Sequence, residues 1–225
     1  MYGSMDYYGV YIISLIFMGI SFLVSKVLTS RMSKYSEVPL PGGITGADVA
    51  KRMLSAHGIN DVDVRATGGS LTDHFDPTNK TVNLSEDVYA RNTLTAAAVA
   101  AHECGHAVQH AKSYAPVRLR TALVPVVNFA NRWTQWVLLA GLALVTVVPG
   151  IFYLGIILSS MSTLFSLVTL PVEIDASRRA IAWLDQAGIV SGQTKSMAKD
   201  ALKWAAYTYV VAALGSLSTL FYYIM

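Results

Sequence analysis

The chain has 225 residues, 53% hydrophobic and only 14% charged, with a net charge of +3 at pH 7 and one cysteine. So little charge is unusual for a soluble protein and turns attention to membrane segments. The lone cysteine excludes an intrachain disulfide and fits a reducing compartment, and the small net charge gives no reason to expect a nucleic-acid partner.

In chain order, residues 7–25 carry no charge. As a helix they extend about 28 Å, enough for one membrane crossing. Lys26, Arg31 and Lys34 follow directly. Positive charge after an apolar run, instead of before it, is the wrong order for a cleaved signal peptide. Ser36 to Gly43 is a Pro/Gly linker. Residues 29–112 then read as a small α+β region. Thr45 to Gly58 predicts an amphipathic helix with Val49, Met53 and Leu54 inward and Gly58 as its stop. Val62 to Ala66 alternates like a short strand, and Gly68-Gly69 is a turn. Asp76-Pro77-Thr78-Asn79 predicts a hairpin turn between Leu71–Phe75 and Lys80–Leu84. A strand just before the next long helix would be placed to pair with an extended peptide backbone. Ser85-Glu86-Asp87 caps a short helix.

The Ala-rich run Thr93 to Ala101, with Thr93 or Thr95 as cap, leads into His102-Glu103-Cys104-Gly105-His106. On a helix the two imidazoles share one face about 6 Å apart along the axis, so both can reach one zinc ion. Glu103 sits beside the metal without binding it, as a general base for the attacking water must. Cys104 lies about 200° around the helix from either histidine and reads as a small buried residue. Gly105 permits close approach of another backbone.

A catalytic zinc needs a third protein ligand. His110 is about 12 Å from His102 on a straight helix and cannot share the metal. Residues 133–172 form a 40-residue uncharged run, divided by Pro149-Gly150. This predicts a hairpin of two crossings, with Trp133 and Trp136 at its interfacial start. Glu173 follows at once, where the charged sequence resumes, and is the expected third ligand. The alternative is that Glu173 and Asp175 only cap a helix N-terminus. Asp175 is expected to accept a hydrogen bond from a ligand imidazole, or to pair with Arg178 or Arg179. His74, Arg178 and Tyr89 are candidates for stabilising an oxyanion, with a solvent-facing strand position preferred for His74. Ser191 or Thr194 starts a helix that runs into a final uncharged stretch, 204–225, flanked by Trp204 and by Tyr222-Tyr223.

The expected fold is mainly α, with about four transmembrane helices and a small α+β zincin-like cytoplasmic domain carrying the H-E-x-x-H helix. Its parts are an N-terminal transmembrane helix (1–28), the domain with the metal helix (29–132) and the hairpin (133–172). A segment with the third ligand (173–203) and a C-terminal transmembrane helix (204–225) follow. All 17 Lys and Arg residues lie between Lys26 and Lys203. The positive-inside rule then places both polar loops in the cytoplasm. His102 and Glu173 lie in different loops and can meet only if those loops share a side.

Over essentially its whole length the chain resembles the YugP-like family of bacterial membrane neutral zinc metallopeptidases. The matching stretches are an N-terminal crossing, Asp73-His74-Phe75-Asp76-Pro77, Ala101 to Ala107, and Glu173-Ile174-Asp175-Ala176-Ser177-Arg178. More distantly it is similar to the gluzincin membrane proteases of the HtpX and CAAX-prenyl-protease type. In those, an Asp follows the ligand Glu by four residues; here that position is Ser177. The resemblance implies a multi-pass membrane zinc protease of the cytosolic face, acting on protein or peptide substrates, membrane proteins among them. Two alternatives are a site-2-type intramembrane protease, for which Leu184-Asp185-Gln186-Ala187-Gly188 would supply an Asp ligand, and a non-catalytic membrane scaffold with structural zinc.

Overall fold

A computed structural model describes residues 7–224, so the tail before Tyr7 and the final Met225 lie outside the described residues. Helix α1 spans Tyr7–Tyr35 and α2 Gly46–Ala56. Strands β1 (Asp63–Thr67), β2 (His74–Asp76) and β3 (Thr81–Ser85) follow, then α3 (Glu86–Tyr89) and α4 (Leu94–Ala111). The chain ends with α5 (Ala115–Ala143), α6 (Gly150–Gln186) and α7 (Gly192–Ile224).

Local chemistry explains these boundaries. Thr45 caps α2 in a reciprocal box: its hydroxyl accepts from the Asp48 amide at 3.2 Å, and Asp48 accepts from the Thr45 amide at 3.0 Å. Gly58 ends the turn after α2 with φ 70°. Of the two expected caps for α4, Thr93 is the one used, accepting from the Ala96 amide at 3.3 Å. Thr95 instead donates to the Met32 carbonyl at 2.9 Å and ties α4 to α1.

The sheet has the order β1-β3-β2, with β1 parallel and β2 antiparallel to β3. The expected hairpin is β2–β3, in the register His74↔Asn83, Phe75↔Val82 and Asp76↔Thr81. Its turn is fixed by Asp76 accepting from the Thr78 and Asn79 amides at 2.8 and 3.1 Å. One expectation is corrected here. The strand just before the metal helix is β3, and it is flanked on both sides. It therefore has no free edge for a peptide; the edges belong to β1 and β2.

Helix α4 runs through the centre of the polar half. Its alanines Ala96, Ala97, Ala98, Ala100, Ala101 and Ala107 are buried, so α2, α6 and the sheet pack close to its backbone. The long helices pack in the order α5, α6, α7, α1. Among the described residues three are long and apolar enough to cross a membrane: Tyr11–Tyr35, Gly150–Gln186 and Gly192–Ile224. The outward faces are apolar, as with Leu15, Phe22 and Leu23 of α1, each at least 60% exposed. Lipid is the solvent that suits such a surface.

The fourth expected crossing, α5, does not reach that standard, because Arg118, Arg120, Asn128, Asn131, Arg132 and Gln135 lie along it. The α5–α6 register shows how this arises. Arg120 meets Glu173, Asn131 meets Ser162, Leu138 meets Gly155, and Gly141 meets Phe152. Partners step equally in opposite directions, so Val172 faces the region of Thr121. The two ends of the uncharged run, 133 and 172, do not face each other. Trp133 lies about 18 Å deeper along the hairpin than Thr121 does. Helix α6 is continuous through Glu173 and about 55 Å long, against a hydrocarbon core of about 30 Å.

Candidate metal centre

The site forms where α4 crosses α6. A side chain at Gly105 would place its Cβ 2.7 Å from the Ala176 carbonyl oxygen and 3.1 Å from the Ala176 Cα, so only glycine allows this approach. His106 is next to Gly105 in sequence, His102 lies about one turn before it on α4, and Glu173 lies about one turn before Ala176 on α6. His102 Nε2 is 3.3 Å and His106 Nε2 3.5 Å from Glu173 Oε2. The two imidazole rings stand edge to face with centroids 4.9 Å apart. Among the described residues these three could hold a metal ion, one donor atom from each lying within 4.8 Å of the others. Glu173 is only 3% exposed and sits two residues after Pro171, which cannot donate to the preceding helical turn.

Both imidazoles are fixed through their other nitrogen. His102 Nδ1 lies 3.1 Å from the Ser177 hydroxyl. His106 Nδ1 lies 3.1 Å from Gln109 Oε1. An amide oxygen only accepts, so His106 carries its proton on Nδ1 and turns the lone pair of Nε2 toward Glu173. Gln109 is fully buried, and its amide nitrogen donates to the Val172 carbonyl and to Asp175 Oδ2, both at 2.8 Å. It thus joins His106 of α4 to the backbone of α6.

The His106 imidazole is held above its usual pKa range. Burial opposes the charged form, but the hydrogen bond that a protonated Nε2 donates to Glu173, the Glu103 and Glu173 charges and the Gln109 hydrogen bond outweigh it. Glu103 is half-buried next to His102, and its charge also acts on Cys104 and Tyr209. Cys104 is buried on the far side of α4, its thiol directed at the Ala50 carbonyl, and burial pushes that thiol up.

The other sequence candidates take different places. Asp175 does not touch an imidazole; it accepts from Arg179 Nε at 2.6 Å and from Gln109. Arg178 is exposed. His74 is exposed within its own hairpin, Nδ1 2.7 Å from the Thr72 carbonyl and Nε2 3.2 Å from the Asn83 amide nitrogen. Tyr89 closes the short α3 and packs against the core of the polar half. His110 is exposed at the end of α4, its ring against Phe75. Asp185 pairs with Lys195 at 2.7 Å, about 18 Å along α6 from Glu173.

Four residues of the site escaped sequence reasoning. Ser177 stood out only as a departure from the related Asp position, and its hydroxyl lies beside His102 Nδ1. Gln109 lies one turn after His106, and nothing in the sequence around it marks it. Arg120 brings Nη1 to 3.7 Å from Glu173 Oε1. Tyr209 of α7 lies close enough to the same carboxylate to feel its charge. Both come from helices whose place at the site depends on the whole bundle.

A family profile described as "Putative neutral zinc metallopeptidase" matches residues 10–225. The chain is 42% identical over 208 residues to the "Putative membrane protease YugP" of Bacillus subtilis (strain 168), covering 92% of each protein. No solved structure matches.

Proposed function

Because the chain belongs to the family described as "Putative neutral zinc metallopeptidase", we propose that it is an integral-membrane zinc endopeptidase working at the cytoplasmic face. The observation that carries this reading is the convergence of His102, His106 and Glu173 from two helices separated in sequence by a hairpin. The donor set suits zinc: two imidazoles with their second nitrogens already engaged, and one buried carboxylate. Three protein donors are the number used by catalytic zinc, whereas structural sites use four and favour cysteine.

A bound zinc would supply Lewis acidity, lowering the pKa of water and polarising the scissile carbonyl. Glu103 takes the proton of the attacking water and delivers it to the leaving amine. Ser177 and Gln109 keep the imidazoles from rotating. Gln109 also fixes the distance between α4 and α6 at the site. Arg120 pairs with Glu173 and Tyr209 stands near it, offering a cation and a hydroxyl where negative charge develops on the substrate carbonyl. Asp185, bound to Lys195 and remote from the ligands, gives no support to a site-2-type ligand set.

The test is a Glu103→Gln variant reconstituted in liposomes and assayed against an unfolded protein such as casein. Rates should fall by about 10²–10⁴ with zinc retained. Cleavage at the wild-type rate would contradict the mechanism.

A further inference from the structure

We propose that the groove between α5 and α6 binds an unwound stretch of a membrane-embedded polypeptide, which approaches the metal centre from the bilayer side. This rests on the protease reading and adds a substrate class to it.

The groove is a cavity of about 180 Å³ lined by Val124, Val127, Asn128, Asn131, Ser162, Phe165 and Ser166. It continues the stripes that carry the site. On α6, Ser162, Ser166, Thr169 and Glu173 are spaced by four, three and four residues and share one face. On α5, Arg120, Val124, Val127 and Asn131 do the same, and Arg120 meets Glu173. The groove therefore leads toward the metal ligands along both helices.

Its polarity exceeds what packing of the hairpin needs. Asn131 and Ser162 hydrogen-bond to each other across the helices, an ordinary interhelical contact. Asn128 is exposed and Ser166 half-buried, and among the described residues neither side chain has a hydrogen-bond partner. The Thr169 hydroxyl, in a residue only 4% exposed, is buried without a partner between the groove and Glu173. The register places these groups opposite the apolar run of α6. At that depth unpartnered amides and hydroxyls are costly, and they mark pathways and binding sites. A helical substrate has no backbone groups to offer them. An unwound one does, and its amides and carbonyls need the same partners.

The spacing along α6 suits such a chain. Ser166 and Ser162 precede Glu173 by seven and eleven residues, about 10 and 16 Å along α6. At about 3.3 Å per extended residue, the groove receives substrate residues roughly three to five positions from the scissile bond.

The experiment uses full-length protein in liposomes with two probes. One is casein; the other is a single-span reporter peptide whose apolar segment is interrupted by Gly-Pro. Asn128→Leu and Ser166→Leu should each lower kcat/KM on the reporter by about tenfold while casein cleavage stays within about twofold. Equal losses on both probes would mean a packing role and would overturn the proposal, as would no loss on either. Cleavage of casein with none of the reporter overturns the groove but leaves the protease reading standing. Wild-type rates from Glu103→Gln, or cleavage of neither probe by wild type, overturn both. A benzophenone placed four residues from the reporter's cleavage site and flashed on Glu103→Gln gives a readout independent of turnover. Attachment within 124–131 or 162–166 supports the proposal. Attachment elsewhere, or a groove covered by chain-to-chain contacts between two copies, overturns it.

Discussion

At the scale of single residues, the site depends on which nitrogen of each histidine is free. Gln109 settles this for His106, so its removal should act through metal affinity more than through fold. Gln109→Leu is expected to weaken zinc binding about 10–100-fold, read by competition with a chromogenic chelator. Gln109→Glu keeps an acceptor for His106 but loses the donor to the Val172 carbonyl and sets a second carboxylate against Asp175, so it should recover little of the loss. The His106 environment also sets a pH dependence. Its pKa is raised, so protons compete with metal for Nε2 at a higher pH than the ordinary value of about 6.5 implies. Zinc affinity should therefore fall as pH drops through that raised value. In metal-free protein the sign is opposite. The protonated imidazole's attraction to Glu173 stabilises the fold fully below the unfolded pKa and is lost as pH rises through the folded one. Affinity unchanged between pH 8 and 6 would contradict this account. The two histidines and Glu103 were legible from their spacing alone. Ser177 was visible only as an exception to a related pattern. Gln109 left no signal, because a buried glutamine is defined by what it touches.

At the scale of elements, the α4–α6 crossing is the joint that makes the site. Gly105→Val would drive its side chain into the Ala176 backbone, which belongs to a long helix and cannot move aside locally. The expected cost is about 1–3 kcal/mol of stability together with weaker zinc binding. A melting curve and zinc titration matching wild type would show that the helices are not held this closely. Helices and hairpin were readable because caps, Gly stops and the Asp76 turn are local chemistry. The place of β3 in the middle of the sheet was not, since the parallel β1–β3 pairing joins segments with no turn between them. The start of α5 at Ala115 was not legible for a similar reason. Charge marks where an uncharged run starts, but the facing helix sets where the hairpin's paired length begins.

At the scale of the whole molecule, the site requires both loops on one side of the bilayer. Cys104 is fully buried, so introduced cysteines can report topology with little background. Val147→Cys in the hairpin loop should react with an impermeant maleimide from outside intact cells, and Gln193→Cys only after permeabilisation. Reversed labelling would turn the site outward, and same-side labelling would mean that α6 does not cross the bilayer. The most direct test of the account is the zinc content of purified Glu173→Ala beside wild type. Wild type should hold about one zinc per chain and the variant, having lost one of the three donors expected of a catalytic site, well under half of that. A Glu173→Ala protein that keeps about one zinc per chain with wild-type affinity would contradict it.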